Sequence, residues 1–333
     1  MSNTRTSRVG SIIAFTLSGL FIVLAGWIFL NRQFALDQLA VWSYEPTASV
    51  TTINDKVQFT DKGTFIFYAT KPVIAAQADF NEKCPRQEAG SPILGCYTNE
   101  DRIYIYDLTN EQLNGIEEVT AAHEMLHAAW YRTSNEDREK LSAELRKAYE
   151  KLDNKELDQR MQYYERTEPG ELANELHSIL GTEVASLGEP LESYYAQFFD
   201  RASVLKLHSQ YNGLYTSLNE RADTLYSSME SLGASIQSQS ATYDAAVSQY
   251  GADVSAFNTR ASGGGFATQS QFIQERAQLV ARSDALDAQR QQINNDIATY
   301  NNYYNEYQEI AEQIEVLNNS LDSFKQLEQA PSV

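Results

Sequence analysis

The chain has 333 residues, 42% of them hydrophobic, and a formal charge of −19. That length accommodates about two domains, and so negative a chain is repelled by phosphate backbones, which excludes nucleic acid as a main partner. Seven prolines occur, none between Pro190 and Pro331, so the second half lacks the strongest helix breaker and reads as almost wholly helical.

A polar start carrying Arg5 and Arg8 is followed by an uncharged run from Val9 to Leu30. As a helix at 1.5 Å per residue this run is about 33 Å long, enough to cross the hydrocarbon core of a bilayer. A cleavable signal peptide has a shorter apolar core, roughly 7 to 15 residues, and a small-x-small site; Phe34 to Ala40 supplies only a poor one. Residues 9–31 are therefore expected to be a retained transmembrane anchor. Arg5 and Arg8 outweigh Arg32, which Asp37 offsets, so residues 1–8 are expected in the cytoplasm and everything beyond residue 31 outside the cell membrane. Residues 32–44 read as a linker.

Cys84 and Cys96 are the only cysteines, and they flank a loop rich in Pro and Gly. An extracytoplasmic compartment lets such a pair oxidise, so a disulfide is expected; a C-x11-C pair has no further thiols at zinc-site spacing. Between residues 41 and 107 the β-branched and aromatic runs Lys56–Thr60, Thr64–Tyr68 and Arg102–Tyr106 read as strands. The last ends just before the next helix. A strand so placed is either purely structural or an edge that holds an extended peptide by backbone pairing.

That next helix, from Ile116 to Trp130, carries His123-Glu124-Met125-Leu126-His127. Histidines four apart stand one turn above the other on one helix face, so both imidazoles reach a single zinc ion. Glu124 then lies beside the metal, where it can take a proton from water whose pKa the metal lowers. Ile116, Val119, His123, Leu126 and Trp130 recur at helical spacing, which turns the histidines inward. Two of the four histidines in the chain fall here; the bland alternative, two core histidines satisfied by hydrogen bonds, leaves Glu124 without a purpose.

Three shorter helices follow, the first capped by Ser134, the second after a turn at Asp153-Asn154, and the third from Thr167-Glu168-Pro169 to Gly181. Catalytic zinc takes three protein ligands. The third is sought in Glu171-Leu172-Ala173-Asn174-Glu175-Leu176-His177-Ser178, where Leu172, Leu176, Ile179 and Leu180 mark the buried face and Glu175 stands at its border. Glu171, and Glu183 if the helix passes Gly181, are the alternatives. A donor for the oxyanion is open among His177, Tyr163, Tyr164, Tyr194 and Tyr195.

H-E-x-x-H followed downstream by Asn-Glu-x-x-Ser resembles the gluzincin clan of zinc metallopeptidases, which includes the thermolysin-like enzymes. The resemblance covers about Ile116 to Leu180. It implies zinc held by His123, His127 and Glu175, with Glu124 as general base; apart from the resemblance, His177 is taken as the further catalytic residue, the candidate donor to the oxyanion, against the alternative of a plain surface histidine. Many gluzincins carry an Asp four residues after the ligand Glu, where this chain has Ile179, so the group that orients a zinc-binding histidine is left undefined.

From Leu207 to Phe257 apolar residues keep the alternating 3 and 4 spacing of a coiled-coil seam, and a second seam runs from Phe272 to Phe324 beyond Gly263-Gly264-Gly265. An antiparallel hairpin about 80 Å long is expected, although Arg276, Ser283 and Arg290 fall on the second seam; each arm pairing with another molecule is the alternative.

The expected fold is α+β, mainly α: one N-terminal transmembrane helix, a minimal zincin-like domain with a small sheet over residues 45–200, and an antiparallel coiled-coil hairpin over 201–329 with its tip near 258–271. The expected function is that of a membrane-anchored, extracytoplasmic zinc metalloendopeptidase acting on a peptide or protein substrate. Its rival is a membrane-tethered scaffold whose coiled coil binds a protein partner and whose zinc site is structural. Glu124 discriminates, since a structural site has no use for it.

Overall fold

The computed structural model describes the backbone of residues 4–85 and 93–321, with side chains from residue 14. The loop at 86–92, the side chains of Arg5 and Arg8, and the hairpin's end with Phe324 lie outside the described residues. The chain divides into two units, one built from residues 1–213 with those from 317 onward, the other from 214–316.

The first unit begins with α1 (Thr4–Leu30) and α2 (Arg32–Ser43). No single helix among the described residues is long and apolar enough to cross a membrane; Ala14–Leu30 and Arg32–Ser43 reach that level only together, bent by 89°. Residues 32–44, read above as a linker, are thus mostly helical, and α2 packs on α4 (Asp61–Ala69).

Two of the three expected strands do not form: one is helical, and the other is a helix end followed by a left-handed turn at Gln58 and a single bridge from Phe59 to Phe199. Lys56–Thr60 falls at the end of α3 (Ala48–Val57) and Thr64–Tyr68 lies inside α4. Thr47 and Thr60 cap them, their hydroxyls accepting from the backbone N–H groups of Val50 and Gly63. Val50, Ile53 and Val57, all buried, fall at 3 and 4 spacing, so a cap and a single apolar stripe outweigh the strand preference of β-branched and aromatic residues.

The sheet is small: β1 (Val73–Ala75), β2 (Gly95–Thr98) and β3 (Arg102–Tyr106) stand in the order β1-β3-β2. β1 runs parallel to β3, with Ile74 opposite Ile105; β2 runs antiparallel, with Tyr97 opposite Ile103. β3 is therefore the central strand. The edges are β1 and β2, so of the two readings of Arg102–Tyr106 the structural strand holds and the edge is corrected. Cys84, at the end of α5 (Gln77–Lys83), is bonded to Cys96 on β2, and this disulfide ties the edge strand to a small core of Ala75, Phe80 and Tyr106.

Against the sheet lies α6 (Ile116–Arg132), followed by α7 (Asn135–Tyr149), α8 (Lys155–Thr167), α9 (Leu172–Glu183) and α10 (Glu189–Tyr195). Ser134 caps α7 as expected, accepting from the N–H of Asp137. α9 starts three residues beyond Pro169 and runs past Gly181. It packs on α6 through Met125 and Leu126 against Ile179 and Leu180, all essentially inaccessible. Gly181 permits that approach: a Cβ there would stand 2.6 Å from both Leu126 and Tyr195 side chains.

The last long helices are α11 (Arg201–Ser262) and α12 (Gln269–Leu321). Their first and last turns belong to the first unit. Arg201 is 5% exposed and donates to the carbonyls of Leu180, Gly181, Val184 and Ala185, the open end of α9, as well as to Glu192. It caps a helix whose last carbonyls have no partner of their own.

The second unit is a two-helix antiparallel hairpin. Its cross-links pair Arg221 with Glu306, Gln239 with Asp296, Asp253 with Arg282 and Arg260 with Glu275, so one arm ascends as the other descends. Leu225, Met229, Phe257, Ile293 and Ile310 are buried along the seam, and Phe257, Phe266 and Phe272 close the tip.

Candidate metal centre

α6 and α9 supply the centre. His123 and His127 stand one turn apart with ring centroids 4.9 Å from each other, and α9 presents Glu175 to both. Glu175 Oε1 is 3.4 Å from His127 Nε2 and Glu175 Oε2 is 4.0 Å from His123 Nε2. One donor atom from each of the three residues lies within 4.8 Å of the others. Ligands held 2.0–2.2 Å from a tetrahedral ion are about 3.4 Å apart, so the cluster could hold a metal ion with little movement.

Burial strengthens the case. His127, Glu124 and Glu175 are each less than 9% exposed. Desolvation pushes the Glu175 carboxyl up to about 8 and Glu124 up to about 7, and the same cause drives His123 well below the ordinary imidazole range. Two carboxyls and two imidazoles brought together with so little water lack a counter-charge, which a divalent cation supplies.

The orienting contacts come from a residue the sequence reading passed over. With Nε2 turned to the cluster, the Nδ1–H of His127 donates to Asn174 Oδ1 at 3.0 Å. Asn174 Nδ2 donates to Glu171 Oε2 at 3.0 Å, and the Tyr131 hydroxyl donates to the same oxygen. Glu171 therefore stands one contact behind the ligands, not among them. Asn174 directly precedes Glu175, and that adjacency was the only sequence signal available. Glu183, the other alternative ligand, is held by Arg160 at 2.5 and 3.0 Å and stays out of the cluster.

Glu124 sits on the wall of a cleft of about 1330 Å³ that also exposes His123, His127 and Glu175. Its carboxylate lies against the backbone of the edge strand β2, and the Tyr97 backbone there favours its ionised form. Gly95 of the same strand allows this approach, because a Cβ there would fall 2.9 Å from Glu124 Oε1 and 2.5 Å from Thr120 Cγ2. The residues of β2 line the cleft, as do Tyr163, Tyr164 and Arg160. Tyr164 and Arg160 lie close enough to Glu175 for both to favour its ionised form.

His177, expected to be a further catalytic residue, does not reach this cleft. It is fully buried, its Nε2 is 3.0 Å from the Tyr194 hydroxyl, and its ring packs on Trp130 and Tyr195. Burial holds the imidazole neutral, down at about 3. The reason is helical: two residues on from Glu175 is about 200° around the helix, so one face cannot present both. Tyr194 and Tyr195 go with it, the latter donating to the His177 carbonyl at 2.7 Å.

No family model, curated protein or solved structure matches the chain.

Proposed function

We propose that this protein is a membrane-anchored, extracytoplasmic zinc metallopeptidase of gluzincin type. The observation that carries the reading is the convergence of His123, His127 and Glu175 on a common point with Glu124 beside them, on the wall of a cleft bordered by a sheet edge. A purely structural zinc site is closed by four protein ligands, and it needs neither a non-ligating carboxylate nor an opening.

A zinc ion bound there would polarise the scissile carbonyl and lower the pKa of water to roughly 7. The chain's own groups do the rest. An extended peptide pairs with the free edge of β2, which fixes the scissile carbonyl against α6. Glu124, kept close to neutral pH by its burial, takes a proton as water adds to the carbonyl carbon, then returns it to the amide nitrogen as the C–N bond breaks. Tyr164, which lines the same cleft, is the candidate donor to the oxyanion.

Two features support the compartment. The Cys84–Cys96 disulfide suits an oxidising environment. α1 carries apolar side chains that pack on nothing, Phe15, Phe29 and Leu30 being at least 80% exposed, as expected of a helix whose solvent is lipid.

The test is a pair of variants in the full chain. Wild type should hold about one zinc per chain, as catalytic sites do. Glu124→Gln should keep that metal and lose hydrolysis of a mixed peptide library by about 10² or more, whereas His127→Ala should lose both. A wild type that binds no metal, or a Glu124→Gln variant that cuts at the wild-type rate, overturns the proposal.

A further inference from the structure

α2 leaves α1 at 89° after a single intervening residue, Asn31. Its two faces differ. Toward the domain it presents Asp37, 4% exposed, which accepts from Arg132 Nε at 2.9 Å and Nη2 at 2.7 Å. Away from it stand Leu36, Leu39 and Trp42, exposed by 51, 58 and 76%. On a helix these three fall within an arc of about 120°.

This face cannot be an accident of a mobile segment that folds inward elsewhere. Rolling α2 to hide its leucines would pull Asp37 out of the Arg132 fork and cost the buried guanidinium one of its two carboxylate partners, Asp101 being the other. The apolar face is thus held outward, while Phe34, on the other side of α2, stacks on Phe65 of α4 and meets Trp27 of α1 with ring centroids 6.2 Å apart. Monomeric surfaces carry scattered exposed apolar residues; a contiguous strip marks something that covers it.

We propose that α2 is an interfacial helix, lying flat in the headgroup boundary of the bilayer with Leu36, Leu39 and Trp42 inserted. The inference rests on the reading of α1 as a membrane anchor. A helix at right angles to one that crosses the membrane runs parallel to the membrane plane, the attitude in which an amphipathic helix buries its apolar face about 5–10 Å deep. Trp27 and Trp42, at the end of one helix and on the outer face of the other, are the residue type that settles at this depth. Arg32 is the one cation of α2 and Asp37 is paired with Arg132, so apolar area provides most of the attraction and anionic lipid is not required. Arg132 ends α6; the membrane-bound helix is therefore bolted to the helix that bears His123 and His127, and their domain is held at a set attitude to the bilayer.

The experiment uses the full chain reconstituted in phosphatidylcholine vesicles containing lipids brominated at carbons 6,7 or at carbons 11,12. The three tryptophans are Trp27, Trp42 and Trp130, and Trp130 is buried in the core, so Trp27→Phe reports Trp42 and Trp42→Phe reports Trp27 over a constant background. In the Trp27→Phe protein, the shallow bromines should quench Trp42 at least about twofold more than the deep ones, with no dependence on added phosphatidylglycerol. Quenching of Trp27 without quenching of Trp42 overturns the proposal and leaves the anchor standing. Quenching of neither removes the anchor and the proposal together. Trp42 shielded from aqueous acrylamide yet untouched by bromolipid means that protein covers the face, and this also overturns it.

Discussion

Asn174 sets the geometry of the candidate metal centre without belonging to the His123, His127 and Glu175 cluster. By accepting from His127 Nδ1–H it fixes the tautomer that leaves Nε2 free, and through Glu171 it is itself oriented. Removing such a partner typically weakens metal affinity by about 10- to 100-fold. Asn174→Ala should therefore lose zinc to a competing chelator at that lower level while remaining folded, and Asn174→Asp, which keeps the acceptor, should stay closer to wild type; equal affinities in all three would refute the role. The histidines and Glu124 were legible because spacing of four along one helix is local information. Glu175 was legible from its place on the rim of an apolar helix face. The His127 to Asn174 contact spans 47 residues and depends on how α9 docks on α6, which no local pattern records. The expected role of His177 ignored a local constraint instead, since a residue two positions from an inward-facing ligand points elsewhere.

Elements are joined here by a few buried polar contacts whose loss is costly. Arg132, on α6, donates to Asp37 on α2, to Asp101 in the β2–β3 turn and to the Ala128 carbonyl. Tyr97 donates to the same Asp101, so α2, the edge strand and the histidine helix share one network. Its core is buried on both sides, with Arg132 and Asp37 side chains 9 and 5% exposed. Breaking a buried pair by removing one partner costs about 3–5 kcal/mol, whereas replacing both with apolar residues is often near neutral. Arg132→Met should thus fall in that range in urea unfolding, and Arg132→Met with Asp37→Leu should recover part of it; a single-variant loss below about 1 kcal/mol would mean that the network is solvated. This network also explains why residues 32–44 looked like a linker. Read alone, α2 is a short helix with leucines outward, and its one buried side chain is an aspartate whose partner lies 95 residues away. The misread helices α3 and α4 have the opposite lesson: their threonine caps and 3 and 4 spacing were present in the sequence, and residue-type preference was given more weight than pattern.

At the scale of the molecule, composition shifts placed the start of the hairpin near residue 201, yet the first unit extends to residue 213 and takes up the chain again at 317. Packing gives the reason. Arg201 occupies the carbonyls that end α9, Val204 is fully buried, and Leu207 and Tyr211 pack on the core of the first unit, while Leu317 on the returning helix is 1% exposed. A heptad pattern continues smoothly through such a boundary because the same apolar stripe serves both a seam and a globular core. The location of a cut therefore decides its outcome. Truncation after residue 200 orphans the α9 carbonyls, at about 1–3 kcal/mol for each buried group left unpaired, and strips the cover from α9, which bears Glu175. Joining residue 213 to 317 through a short Gly-rich turn leaves every one of those contacts in place. The joined protein should melt cooperatively, retain zinc at the wild-type stoichiometry and cleave short peptides, whereas the chain ending at 200 should lose metal and unfold at lower temperature. Equal metal content in the two would show that residues 201–213 do not support the centre. Loss of peptide cleavage by the joined protein with metal retained would place the hairpin in the chemistry itself.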